Sequence, residues 1–132
     1  QLKDEKGVMF AIYDVETLTM IGETGLVEIN HRDGTAMFGV NIGLKAYWGK
    51  GYGTEATRLV LDYGFRFLNL YNIALLTFSF NERAIRAYQK AGFKETGRRR
   101  GALLLNGQRY DHVAMDCLAS EFVSPQPGWF TL

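Results

Sequence analysis

The chain has 132 residues, 47% of them hydrophobic, and a formal net charge of +1. Such a length and composition predict one globular domain with a buried core, and so small a charge gives no bulk attraction toward nucleic acid or a membrane surface. The single cysteine, Cys117, excludes an internal disulfide framework and suits a reducing, cytoplasmic setting, and no apolar run reaches the length of a membrane span.

Residues 8–13 form a short β-rich run, followed by a turn over residues 14–19. A second strand is expected at 21–29, and Arg32-Asp33-Gly34-Thr35 gives a hairpin signal before a third at 36–42. These three strands predict an antiparallel meander. The period then changes: Ala56, Leu59, Val60, Tyr63 and Phe67 follow helical spacing, so residues 53–69 predict an amphipathic helix. Residues 73–80 are a nearly unbroken apolar run, as expected of a central strand covered on both faces. Asn81 is a suitable N-cap for a second helix carrying Ala84, Ile85, Tyr88 and Ala91 inward, and Gly92 stands where a helix-ending glycine belongs. From Phe93 the chain returns to strand, and Asn106-Gly107 predicts a hairpin between residues 101–105 and 108–117. The Arg98-Arg99-Arg100 run reads as a solvated surface, and Cys117, within an alternating segment, as a small buried or edge-strand residue. The fold class is therefore α+β, with strand and helix order β-β-β-α-β-α-β-β, an N-terminal meander, a central β-α-β-α and a C-terminal hairpin, the helices lying on both faces of a mixed sheet. One domain is assigned to residues 1–123, and 124–132 to a polar, proline-bearing tail.

The most informative stretch is Tyr47-Trp48-Gly49-Lys50-Gly51-Tyr52-Gly53-Thr54-Glu55-Ala56. Alternating glycines let backbone N–H groups approach a ligand, and the helix start behind them adds unpaired donors and partial positive charge. A phosphate or diphosphate is expected on residues 49–54. The spacing is wrong for a P-loop, and a Gly-x-Gly-x-Gly pattern after a meander fits the dinucleotide fingerprint poorly.

Two separated motifs carry a resemblance: Trp48-Gly49-Lys50-Gly51-Tyr52-Gly53-Thr54-Glu55-Ala56, and Asn81-Glu82-Arg83-Ala84 leading into Tyr88-Gln89-Lys90-Ala91-Gly92-Phe93. Together they resemble the Gcn5-related N-acetyltransferase (GNAT) family over residues 8–118, near its ribosomal-protein and spermidine acetyltransferase branch. Trp48 stands where many members carry Gln or Arg. Members usually begin with a strand and two helices that wall the acceptor pocket, and these are not found ahead of residue 8.

The resemblance implies acetyl-CoA as co-substrate. The diphosphate would lie on Trp48, Gly49, Lys50, Gly51, Tyr52, Gly53 and Thr54. The pantetheine arm would pair with free backbone groups of Asn41, Ile42 and Gly43, Gly43 being compatible with a bulge, and Asn81 and Arg86 would give further contacts. Arg83 is a second cation that could reach the phosphates. It also implies Tyr88 as general acid toward the leaving thiolate. For the base, Glu28 leads over Glu23, His31, Asp33 and His112, and alternation would put Glu23 and Glu28 on opposite faces. Glu55, just inside the helix start, is explained by the helix dipole. No residue spacing suits a metal. The implied activity is N-acetylation of a primary amine, either a protein N-terminus or a polyamine-like acceptor. The alternative is a non-catalytic coenzyme-A-binding sensor or interaction module. An exposed sheet edge at residues 8–13 also predicts a homodimer.

Overall fold

The structure is a computed structural model that describes residues 7–124. Six strands form one mixed sheet in the order β1-β2-β3-β4-β6-β5: β1 (Val8–Asp14), β2 (Thr19–Asn30), β3 (Thr35–Ile42), β4 (Asn72–Phe78), β5 (Lys94–Leu105) and β6 (Gln108–Leu118). Two helices interrupt them, α1 (Tyr52–Arg66) and α2 (Glu82–Ala91). The expected element order holds throughout. The tail expected at 124–132 lies outside the described residues apart from Ser124.

Every neighbouring pair of strands is antiparallel except β3 and β4. That parallel pairing spans only Thr35–Met37 against Asn72–Ala74, after which the two strands part. The sheet therefore opens as a wedge, with Phe38 to Ile42 on one side and Leu75 to Phe78 on the other.

Alternation along the strands defines the core. Leu26 on β2, Ala36 and Phe38 on β3, Ile73 and Leu75 on β4, and Val113, Met115 and Cys117 on β6 are all buried, together with Val60 and Leu61 of α1 and Ala91 of α2. Both helices thus pack on one face, as two right-handed crossovers running the same way across a sheet require. The opposite face is open among the described residues, with Leu76 of β4 55% exposed. This corrects the expectation of helices on both faces and of a doubly covered β4: an unbroken apolar run does not say which of its alternating positions will be covered.

Local signals set the ends of the elements. α1 stops three residues before the expected end, where Asn69 adopts φ 59 and Leu70 N donates to the Gly64 carbonyl. α2 closes in a Schellman motif: Phe93 N donates to the Tyr88 carbonyl at 2.9 Å, and Gly92, at φ 127, donates to that of Gln89 at 3.1 Å. The matching apolar contact is Phe93 against Tyr88, with ring centroids 5.9 Å apart. Gly92 and Phe93 therefore fix the turn that carries Tyr88.

Candidate active site

A cleft of about 810 Å³ opens at the wedge, between the end of β3 and the glycine loop on one wall and the first turns of α2 on the other. It brings together most of the residues expected to hold a ligand: Asn41, Ile42, Trp48, Gly49, Gly51, Gly53, Thr54, Asn81 and Arg86 all line it, with Tyr88. Val40, Tyr47, Arg83 and Lys90 join them.

The glycine loop fits an anionic ligand. Gly49 and Gly51 adopt φ 74 and 90, which a side chain would strain. Gly51 caps α1 with no side-chain hydrogen bond, and the first amide taken up is that of Glu55, which donates to the Gly51 carbonyl at 2.9 Å. Among the described residues no protein acceptor meets the N–H groups of Gly49, Lys50 and Gly51, and those of Tyr52, Gly53 and Thr54 are the unpaired donors of a helix start. A Cβ built at Gly49, Gly51 or Gly53 meets nothing within 4 Å, so the space before the loop is free of protein. Six donors beside a positive dipole end, those of Gly49, Gly51, Gly53 and Thr54 on residues that line the cleft, suit a diphosphate.

Several expected contacts are not assembled as the sequence suggested. Gly43 does not line the cleft, and its N–H donates to the Ile21 carbonyl at 2.8 Å, so no free amide stands there. Nor is Gly43 at a bulge: the register shift between β2 and β3 lies between Val27 and Asn30. The Ile42 carbonyl accepts the Trp48 indole N–H at 2.7 Å. Lys50 and the Tyr52 side chain also lie outside the lining; Tyr52 instead packs edge-on against Tyr47, centroids 5.3 Å apart. Asn81 occupies the N-cap position, but its amide makes no cap and donates to Thr77 Oγ1 at 3.2 Å.

Tyr88 sits deep in the cleft, edge-on to Phe38 at 6.2 Å. Its hydroxyl has no hydrogen-bond partner among the described residues. Burial among these rings raises its pKa above the ordinary phenol value, so it stays protonated at neutral pH.

Glu28 is exposed, with φ 52, at the β2–β3 register shift. The bulge breaks the alternation that was to separate it from Glu23. Leu26, two residues before Glu28, pairs with Phe38, the ring that touches Tyr88; this puts Glu28 near the closed end of the wedge, outside the cleft lining. Glu23 pairs with Asn41 at the open end. Asp33 is held in the β2–β3 hairpin by Asn30 and Arg32, with His31 beside it. His112 stacks on Phe78 at 5.0 Å. Among the described residues no three His, Cys, Asp or Glu side chains gather as a metal site would require.

Sequence reasoning missed Tyr47. Its hydroxyl donates to Asp14 Oδ2 at 2.9 Å, tying the approach to the glycine loop to the end of β1. The Asp14 carboxylate is held below its ordinary range, first by the Glu16 backbone N–H and then by Tyr47. Nothing in a single sequence marks a pair 33 residues apart. Trp48 was legible as a loop residue, but not as a platform between Lys45 and Arg83, which stand 5.6 and 5.0 Å from its ring centroid.

Comparisons with known proteins agree with this geometry. A family model described as an acetyltransferase (GNAT) domain matches residues 1–94. The spermidine N(1)-acetyltransferase of Escherichia coli (strain K12) is 38% identical over 103 residues, 78% of this chain and 55% of that protein. The chain thus spans about half the length of that relative. Among solved structures, the Vibrio cholerae spermidine N-acetyltransferase in complex with CoA and spermine superposes with a TM-score of 0.77 at 31% identity, covering 87% of this chain and 67% of that one. A dodecameric structure of the Vibrio cholerae enzyme gives 0.76 at 32%, covering 86% and 66%. Matched by that family model over residues 1–94 and 38% identical to the Escherichia coli relative, the chain belongs to the GNAT acetyltransferase family.

Proposed function

We propose that this chain is the catalytic part of an acetyl-CoA-dependent N-acetyltransferase whose acceptor is the primary amine of a linear polyamine. The observation that carries the proposal is Tyr88: a protonated phenol whose hydroxyl meets no partner among the described residues, in a cleft that the glycine loop also lines. The coenzyme supplies a thioester, a carbonyl made reactive by a thiolate leaving group.

The residues divide the work. Gly49, Lys50, Gly51, Tyr52, Gly53 and Thr54 present backbone N–H groups to the diphosphate. Past Met37, among the described residues, no strand pairs with β3 on the side away from β2. There the backbone of Val40 and the Ile42 N–H offer strand edge to the pantetheine arm, as an added strand would use it, while Asn41 pairs with Glu23 and the Ile42 carbonyl holds Trp48. The neutral amine attacks the thioester carbonyl carbon, a C–N bond forms and the C–S bond breaks. Tyr88 gives its proton to the departing sulfur. Burial makes Tyr88 a weaker acid than a phenol in water, but the rings of Phe38 and Phe93 also disfavour a bare thiolate, so the transfer stays matched. The amine's proton leaves through water toward an exposed carboxylate, with Glu28 near the closed end as the leading acceptor.

Support for a polyamine over a protein N-terminus comes from the Escherichia coli and Vibrio cholerae relatives, named for spermidine, and from the exposed carboxylates Glu23 and Glu28 on β2. The dodecameric relative supports a homo-oligomer, for which the exposed edge strand β1 is the leading surface. A thiol-release assay with acetyl-CoA over spermidine, spermine and a peptide N-terminus tests the proposal. Turnover with the polyamines and none with the peptide is expected. Tight acetyl-CoA binding with no turnover on any amine would instead favour a coenzyme sensor.

A further inference from the structure

The glycine loop accounts for one diphosphate, yet the opposite wall of the cleft carries charge of its own. Arg83, Arg86 and Lys90 lie at i, i+3 and i+7 on α2, one face of the helix, and all three line the cleft with a single acid, Glu82. Glu82 engages Arg86 only loosely, at 4.0 Å between two well-exposed side chains. Arg83 makes no ion pair among the described residues; its guanidinium lies over the Trp48 ring, 5.0 Å from the centroid. A guanidinium stacked on an indole keeps its in-plane N–H groups free for an anion while losing much of its rotational freedom. Trp48 is itself pinned, its indole N–H bonded to the Ile42 carbonyl. Loop and helix thus meet across the cleft mouth through one arene–guanidinium contact, and two arginine forks face the same space as the loop amides.

We propose that Arg83 and Arg86 recognise a second phosphate on the ligand, the ribose 3′-phosphate of coenzyme A, and that Trp48 is a positioning residue that holds Arg83 for it. The proposal rests on the coenzyme assignment made above and deepens it. A diphosphate on the loop leaves Arg86 with only its loose contact to Glu82 and Arg83 with no ion pair among the described residues, and coenzyme A carries its remaining phosphate one ribose away from that diphosphate. Dephospho-coenzyme A lacks only this group, so the ratio of the two affinities reads the contact directly.

The test is calorimetric titration of the protein with coenzyme A and with dephospho-coenzyme A, for wild type, Arg83→Ala, Arg86→Ala, Trp48→Ala and Trp48→Phe. Wild type is expected to prefer coenzyme A by about tenfold or more, and each arginine variant to lower that ratio roughly three- to fivefold, as partly exposed charge-assisted contacts do. Trp48→Ala should lower the ratio as Arg83→Ala does, while Trp48→Phe, which keeps an arene, should hold it nearer the wild-type value. A general loss of fold or of positive field weakens both ligands together and leaves the ratio alone. Equal binding of the two ligands by wild type, or a ratio that neither arginine variant changes, overturns the inference while leaving the coenzyme site standing. A ratio lowered by Arg83→Ala but not by Trp48→Ala overturns the positioning role. Failure of both ligands to bind wild type overturns the coenzyme assignment as well.

Discussion

Gly53→Ala adds one methyl to the first turn of α1, at a residue outside the positive-φ set and at a point where the new Cβ meets no atom within 4 Å. Nothing in the protein resists the change. Alanine is the better helix former by up to about 1 kcal/mol, so stability should hold or rise, lifting Tm by roughly 2–5 °C for a domain of this size. The same methyl projects into the space before the loop, where the diphosphate is placed. Displacing one charge-assisted hydrogen bond from a helix-terminal N–H removes about 1.5–3 kcal/mol, a loss of roughly ten- to 150-fold in affinity. Thermal unfolding of the free protein and calorimetric titration with acetyl-CoA measure the two effects separately. Opposite movements, Tm up and affinity down, are expected. Unchanged affinity in a protein that is as stable as wild type would refute the placement of the diphosphate on the first turn of α1. Gly51→Ala is the contrast: at φ 90 it forces a left-handed alanine, at about 1–2 kcal/mol, and should lower stability and affinity together.

Tyr88→Phe keeps the ring packing on Phe38 and Phe93 and removes a hydroxyl with no hydrogen-bond partner among the described residues, so Tm should stay put while kcat falls by about 10²- to 10⁴-fold and the acetyl-CoA KM hardly moves; an unchanged kcat would end its assignment as acid. Because burial raises the Tyr88 pKa in the folded state, its contribution to stability is complete below the ordinary phenol range and is lost as pH climbs through the folded value. Wild type should therefore lose stability at strongly alkaline pH more steeply than Tyr88→Phe, and parallel curves in alkaline melts would contradict this. Glu28→Gln should slow turnover with little change in the amine KM, whereas Glu23→Gln should act mainly on the amine KM. The reverse pattern would make Glu23 the proton acceptor. Cys117 is fully buried, and its thiol is pushed up to about 11, chiefly by desolvation, so iodoacetamide at neutral pH should label it only in denaturant; rapid labelling of the native protein would show that β6 is not packed as described.

The parts of the site legible in the sequence are those written into neighbouring residues. Gly49 and Gly51 announce positive φ, Gly92 and Phe93 announce a helix end, and the seven-residue step from Asn81 places Tyr88 two turns along one face. What stayed hidden depends on partners far along the chain. Glu28 was read by counting alternate positions, but the β2 bulge, set by how β2 lies on β3, resets that count. Gly43 looked like a free amide until β2 supplied the Ile21 carbonyl. Leu76, Phe78 and Phe80 look as apolar as Ile73 and Leu75, so one-sided covering of β4 could be learned only from where α1 and α2 pack.

The three-pair seam between β3 and β4 has a consequence for how the molecule unfolds. On one side of it lies a meander built from contacts close in sequence; on the other, β4, β5 and β6 pair among themselves. Two blocks that hold themselves together well and each other weakly through backbone need not open at the same free energy. In hydrogen–deuterium exchange the β2 and β6 amides should persist longest. Those of residues 38–42 that turn away from β2 should exchange early in the free protein and slow when a bound ligand arm takes the place of the absent neighbouring strand. The seam would then act as a hinge line, letting the cleft breathe without either half losing its register.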